Sequence, residues 1–338
     1  MGGKSLSIII AILLLIAGCR CNQGPDVTGL VDTLIVNRFE QDLFGMDVSN
    51  MDSNLDDLRD KYGNFFNLFA FGITSLGSRD TQLMVEQFRS FITDTNFIKV
   101  YKDCESQFED FSSQTEKLKR AFGYYSYYFP DRIIPKVITM ITGFSYPIVC
   151  DSAVLGISLD MYLGAGYYFY STLGPPLPNY LRRRMDKAFL VSDAMKGWAM
   201  SDYPLDETSA SMMDFMISQG RILYFLDKVL PEEADSLKTG YSAEQLNWCI
   251  NNEKKIWSFF IENRMLFSKD PNQMNKYVND GPTTQGFPKE APGNIGQFTG
   301  WQIVKSYMKN HSEVTLRQLM EETDLIRIFN EADYKPAR

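Results

Sequence analysis

The chain has 338 residues, of which 44% are hydrophobic and 14% aromatic, and a formal net charge of −8. This is the composition of a folded globular protein with room for a large core in one or two domains. The acidic balance lacks the basic footprint of a nucleic-acid binder, so nucleic acid is excluded as a partner.

In chain order, Lys4 precedes an almost unbroken apolar run, Leu6 to Ile16, and then Ala17-Gly18-Cys19. A charged start, a short apolar stretch and small residues make a secretory signal. The run is too short to cross a hydrocarbon core, which needs about 20 apolar residues. The small residues directly before Cys19 resemble the bacterial lipobox. That resemblance implies cleavage after Gly18 and lipid attachment to the Cys19 sulfur. The expected organisation is a signal peptide at 1–18, a flexible lipid-anchored tether at 19–30 and a single globular domain at 31–338. The tether, Arg20 to Asp26, carries no acidic run near the lipid. A periplasm-facing position is therefore expected, with the choice between inner and outer membrane open.

Thr33 to Phe39 reads as a strand. Leu55 to Phe69, Thr81 to Ile92 and Phe108 to Gly123 read as helices. The texture changes at Pro130. Lys136 to Thr142, Pro147 to Asp151 and Ala153 to Leu159 are rich in β-branched residues and predict a small sheet. Helices return at Asn179 to Met200 and at Ser209 to Leu230, where Met212, Met216, Leu223, Leu226 and Leu230 share a face. Ser242 to Phe267 opens with a Ser-x-x-Gln capping box, and Thr315-x-x-Gln318 caps a last helix ending near Asn330. Gly300 to Lys309 is a further helix. The fold class is α+β, predominantly helical, with many helices around a small central sheet.

Little of the residue chemistry points to catalysis. The one histidine, His311, lies at a predicted helix end, where a cation interacts favourably with the helix dipole. A HExxH zinc site needs two histidines on one helical face. There is no GxSxG elbow, no phosphate-binding GxxxxGK[ST] loop and no dinucleotide fingerprint. No catalytic residue, metal ligand or cofactor is expected. With Cys19 taken by lipid, Cys21, Cys104, Cys150 and Cys249 allow three full disulfide pairings. Arg182-Arg183-Arg184 reads as a solvated face. Asp160, at the end of an apolar run, is a candidate ligand residue. Asp193 could pair with it, because a carboxylate pair is the usual equipment of a glycan hydrolase. Gly293, Gly296 and Gly300 read as a tight turn followed by close helix packing. Two aromatic clusters, Tyr124 to Phe129 and Tyr167 to Tyr170, offer flat rings that either pack or stack on sugars.

Several segments taken together resemble the gliding-motility lipoproteins of the GldB family of the Bacteroidota. They are Asn37 to Phe44, Pro135 to Phe144, Ile157 to Gly164, Met216 to Asp227, Gly240-Tyr241, Asn247 to Cys249, Asn252-Glu253, Ile256-Trp257, Pro292 to Val304 and Tyr334 to Pro336. The resemblance implies a membrane lipoprotein of the cell envelope, tied to gliding machinery and in contact with other envelope proteins, without enzymatic activity. A more distant likeness is to a zincin-type peptidase. Here the first helix of that scaffold, Asn179 to Met200, has no histidine. Gln219 sits where the scaffold would place a glutamate, and a neutral amide is a poor replacement. This implies a degenerate zincin-like fold without its metal, kept for binding or assembly, in which Gln219 is either a former ligand position or a hydrogen-bonded core residue. The alternatives are a peptidase-like, glycan-acting or glycan-binding envelope lipoprotein.

Overall fold

The computed structural model describes residues 24–336. The signal segment, Cys19 and Cys21 lie outside the described residues.

Four strands form the sheet: β1 (Val36–Arg38), β2 (Lys136–Met140), β3 (Ile148–Asp151) and β4 (Val154–Ser158). The spatial order is β1-β2-β4-β3, with β1, β2 and β4 parallel and β3 antiparallel at the edge. The three runs read as strands after Pro130 are β2, β3 and β4. The Thr33 to Phe39 run supplies β1 through its last residues only. Successive side chains of a strand point to opposite faces, and each face of this sheet covers a different core. Val137, Leu155 and Ile157 enter the larger one. Ile138 and Met140 enter a second.

The second core belongs to α1 (Phe39–Phe44), α2 (Met51–Tyr62), α3 (Asn64–Asn67), which runs on through a wide turn to Ile73, and α4 (Thr81–Thr93). It is largely phenylalanine. Phe39 meets Phe69 with ring centroids 4.7 Å apart, and Phe66 stacks on Phe88 at 5.5 Å. Asp94 ends α4 and starts α5 (Thr95–Phe108), its carboxylate accepting from the backbone of Asn96 and Phe97. α6 (Ser112–Tyr128) follows.

The larger core lies under the C-terminal elements. These are a 3-10 turn (Leu159–Tyr162), α7 (Tyr168–Thr172), α8 (Asn179–Arg182), α9 (Leu190–Asp202), α10 (Met212–Val229), α11 (Asp235–Thr239), α12 (Ala243–Asn251), α13 (Glu253–Glu262), α14 (Pro271–Val278), α15 (Ile295–Asn310), α16 (Leu316–Glu321) and α17 (Leu325–Glu331). The architecture is α+β and predominantly helical, with helices on both faces of the small sheet.

Four long helices expected from periodicity are each broken. Leu55 to Phe69 breaks at Gly63, whose positive φ ends α2. Asn179 to Met200 breaks where Gly164 donates its N–H to Met185 O at 2.7 Å and Leu163 bridges Asp186. Ser242 to Phe267 breaks at Asn252, whose Nδ2 donates to Trp248 O at 2.9 Å. The last helix breaks at 322–324, where Asp324 caps α17 through Arg327 N at 3.1 Å. Residues 24–30, expected to be tether, include Gly24 against the Tyr124 ring and Val27 against Gly123. Packed chain therefore begins before residue 31. Cys104, Cys150 and Cys249 are all free. They stand on α5, β3 and α12, so no disulfide forms among them. Burial pushes each thiol up, that of Cys150 to about 12.

The tightest contact in the molecule is the crossing of α10 and α15. A Cβ added at Gly300 would meet Met216 O at 1.6 Å, and one at Gly220 would meet Gly300 C at 2.3 Å. Glycine inside a helix costs roughly 0.5–1 kcal/mol relative to alanine, and here it lets two backbones touch. We expect Gly300→Ala to push the helices apart and lower unfolding free energy by about 3 kcal/mol, at the upper end of overpacking costs. An alanine chain with an unchanged urea midpoint would contradict the close crossing.

Candidate functional site

The sequence-predicted residues do not converge. Cys19 lies outside the described residues. Asp160 follows β4 and is fully buried. Its carboxylate accepts from Phe144 N at 2.8 Å and from Thr142 N at 3.3 Å. The turn it holds has positive φ at Gly143 and Phe144. The carboxylate therefore satisfies backbone donors that a left-handed turn leaves without partners. Burial pushes Asp160 up to about 6, against the opposing pull of those amide bonds.

Asp193 stands one turn into α9 and faces elsewhere. Its Oδ1 accepts from Arg184 Nη2 at 3.3 Å and its Oδ2 from Tyr162 OH at 3.2 Å. Asp160 and Asp193 share no hydrogen bond, and Asp160 opens to no cleft. Gln219 is partly buried on α10, and its side chain has no hydrogen-bond partner among the described residues.

The arginine cluster is the residue set that sequence reasoning misread. The four-residue α8 ends at Arg182, and the chain then turns, carrying Arg183 and Arg184 inward instead of along a solvated helix face. Arg183 donates to Gly240 O at 2.7 Å and to Gln245 Oε1 at 2.8 Å. Arg184 forks between Asp193 and Asp280, the latter at 2.8 Å. Lys196, one helical turn after Asp193, joins this cluster through its charge interactions with Arg184, Asp280 and Asp193. It has no hydrogen-bond or ion-pair partner among the described residues. Burial first, and then the Arg184 charge, push it down to about 8.

Beside the cluster is a narrow slot of ≈ 20 Å³, lined by Tyr180, Arg183, Arg184, Tyr241, Asp280 and Gly293 among others. That is room for about one water. Asn294 sits beyond Gly293 in the left-handed conformation and reaches towards Asp280. Tyr241 OH donates to Asn294 O at 2.7 Å, and Gln297 Nε2 to Thr239 O at 2.9 Å. The arrangement is a charge cluster closed largely on itself. Lys196, at about 8, remains mostly a cation at neutral pH. Among the described residues, no three His, Cys, Asp or Glu side chains gather as metal ligands.

Other segments singled out from the sequence serve the framework. Arg38 donates to Glu40 Oε1 at 2.5 Å, Glu105 Oε1 at 3.1 Å and Phe108 O at 3.0 Å. The fully buried Glu40 also accepts from Thr139 Oγ1 at 2.7 Å, and burial raises its pKa. The buried Arg221 donates to the carbonyls of Leu319, Met320 and Glu322 at the end of α16. His311 is the C-terminal cap residue of α15, its ring beside Glu313 and the Glu331 carbonyl. The tyrosine clusters mostly pack. Tyr125 OH donates to Asp202 at 2.7 Å, Tyr170 OH to Asp160 O at 2.7 Å and Tyr167 OH to Asp103 at 2.8 Å. Tyr168 stands out at 67% exposure, above an open groove of ≈ 750 Å³. It is the one strongly exposed tyrosine of its cluster, as Tyr127 is of the other.

Two pH effects follow. Asp160 holds its proton more tightly folded than unfolded, so its contribution is complete below about pH 4 and lost as pH rises through about 6. At about 1.4 kcal/mol per unit, the wild-type protein should lose about 2 kcal/mol more than Asp160→Asn between pH 4 and pH 7 in urea unfolding. Parallel curves for the two would contradict this. Lys196 has the opposite balance: its lowered pKa costs stability fully below about pH 8, and the cost fades towards pH 10.5. Lys196→Met should therefore raise stability by about 1–3 kcal/mol at pH 7 and by less at pH 9.5. A variant equally stable at both values would be inconsistent with the lowered lysine pKa.

No curated protein matches the chain, and no solved structure does. A family model described as gliding motility protein GldB matches residues 20–336. It takes in the sheet, both cores and the charge cluster, and the chain belongs to that family.

Proposed function

We propose that the protein is a lipid-anchored component of the cell envelope, held through Cys19, that supports the gliding machinery by contact with other envelope proteins and not by catalysis. The family match over residues 20–336 carries this reading. The signal-like start and the small residues before Cys19 supply the anchor. No helix of the described residues is long and apolar enough to cross a membrane, which agrees with attachment by lipid.

The internal chemistry supports a contact role. Asp160 is committed to backbone amides, and Asp193 to Arg184 and Tyr162. The separated carboxylate pair of a glycan hydrolase is not assembled from them. The same reading takes α9 and α10 as a peptidase-like scaffold retained for contact. α9 has no histidine, and the neutral Gln219 stands where such a scaffold would hold a carboxylate.

In a gliding host, Cys19→Ala should leave the membrane fraction and abolish function. Asp193→Asn and Gln219→Ala should remain membrane-bound and keep function within about two-fold. If Asp193→Asn were folded, membrane-bound and inactive, the non-catalytic reading would fail.

A further inference from the structure

The first described residues lie on α6. Gly24 rests on the Tyr124 ring, where a Cβ would meet Cε1 at 3.6 Å, and Val27 packs on Gly123. Gly24 is five residues after Cys19. A chain advances at most ~3.6 Å per residue, so an anchor at Cys19 is tethered within about 25 Å of Tyr124. α6, with its 17 residues, is itself about 25 Å long. A lipid at Cys19 therefore keeps the bilayer within reach of the surface around Tyr124.

That end presents tyrosines outward. Tyr127 is 52% exposed. Tyr128 is partly exposed, with Tyr127, Tyr224 and Tyr124 close by, and its ring lies 5.1 Å from that of Tyr127. Tyr224 of α10 is partly exposed, and Lys228 Nζ lies 5.0 Å above its ring. Nearby charges are mostly paired, Arg120 with Glu232 at 2.5 Å and Lys117 with Glu233 at 3.6 Å. Lys228 has no acidic partner among the described residues. A tyrosine has an apolar body and a wet tip, which suits the boundary between headgroups and hydrocarbon. A lysine beside it keeps its stem among the rings and its charge among the headgroups.

We propose that the face formed by Tyr127, Tyr128, Tyr224 and Lys228 seats in the headgroup layer of the bilayer that carries the lipid, fixing the orientation of the protein on the membrane. The inference rests on the lipid at Cys19 proposed above. With its neighbouring charges paired, the face works by its rings more than by net charge. The proposal leaves the strongly exposed Tyr168 in water.

The test uses the full acylated chain in vesicles of phosphatidylethanolamine with a minor share of phosphatidylglycerol. A nitroxide is attached through Tyr127→Cys in one sample and Tyr168→Cys in another. Cys21→Ser and Cys150→Ser are present in both, because the remaining thiols of Cys104 and Cys249 are buried. Collision with a water-soluble nickel chelate should be at least five-fold weaker at position 127 than at 168, and collision with oxygen stronger. Equal nickel access at the two positions in an acylated chain overturns the proposed face and leaves the anchor standing. Mass spectrometry of the N-terminal peptide separates the two claims. A mature chain without acyl groups overturns the anchor, and with it the reason to place a bilayer here.

Discussion

The crossing of α10 over α15 holds the C-terminal half in register. Backbone touches backbone at Gly220 and Gly300, and neighbouring residues take their partners from that approach. Arg221, next along α10, reaches the carbonyl end of α16. Asp227, two turns on, accepts from Trp301 Nε1 at 2.8 Å and from Lys238 Nζ at 3.0 Å. Gln297, one turn before Gly300, donates to Thr239 O. Asn294, at the start of the same helix, reaches towards Asp280 beside the slot. A methyl group at the crossing would shift each of these bonds together. The GldB-like segments Met216 to Asp227 and Pro292 to Val304 thus act as one object, two helices specified by how closely they meet.

Buried charge is the second constraint. Taking a charge out of water costs several kcal/mol unless hydrogen bonds replace the hydration. The protein meets this cost in different ways. Arg221 is surrounded by the carbonyls that end a helix, where the dipole favours a cation. Glu40 shares one arginine and one threonine. Asp160 accepts turn amides and takes up a proton near pH 6. Lys196 differs, because its neighbours Asp193 and Asp280 are already engaged by Arg184. It remains a cation without a direct partner, and its lowered pKa expresses that.

Local pattern carried the fold class, and it carried the strands after Pro130, where β-branched runs sit between glycine and proline. The capping boxes at Ser242 and Thr315 are present as read. The break before α9 was not legible because its cause is distant in sequence: Met185 is held by Gly164, and no local signal marks it. The breaks at Asn252 and Asp324 are local side-chain caps across which the apolar periodicity runs on. α5 was missed because its buried stripe, Val100, Cys104 and Phe108, is one residue wide and set among charges. Arg183 and Arg184 looked solvated while they were imagined on a long helix. Once α8 ends at Arg182, both turn towards Gly240, Asp193 and Asp280. The site cluster draws on loops around residues 184, 240, 280 and 294 together with α9, and such a gathering leaves no spacing to read.

The tyrosines of α6 show what helical phase adds to composition. Tyr124, Tyr125, Tyr127 and Tyr128 look alike in sequence, but at about 100° per residue they cannot share one environment. Tyr125 is driven inward, where its hydroxyl finds Asp202 and its ring meets Trp198 and Phe225. Tyr124 is covered by the incoming segment at Gly24. Tyr127 and Tyr128 are left outward by the same rotation, beside the point where the chain arrives from Cys19. The stretch that buries two rings in the core therefore also sets two others at the surface beside Gly24. With the proposed lipid at Cys19, the short connection would make that surface, and not the groove under Tyr168, the one that meets the membrane.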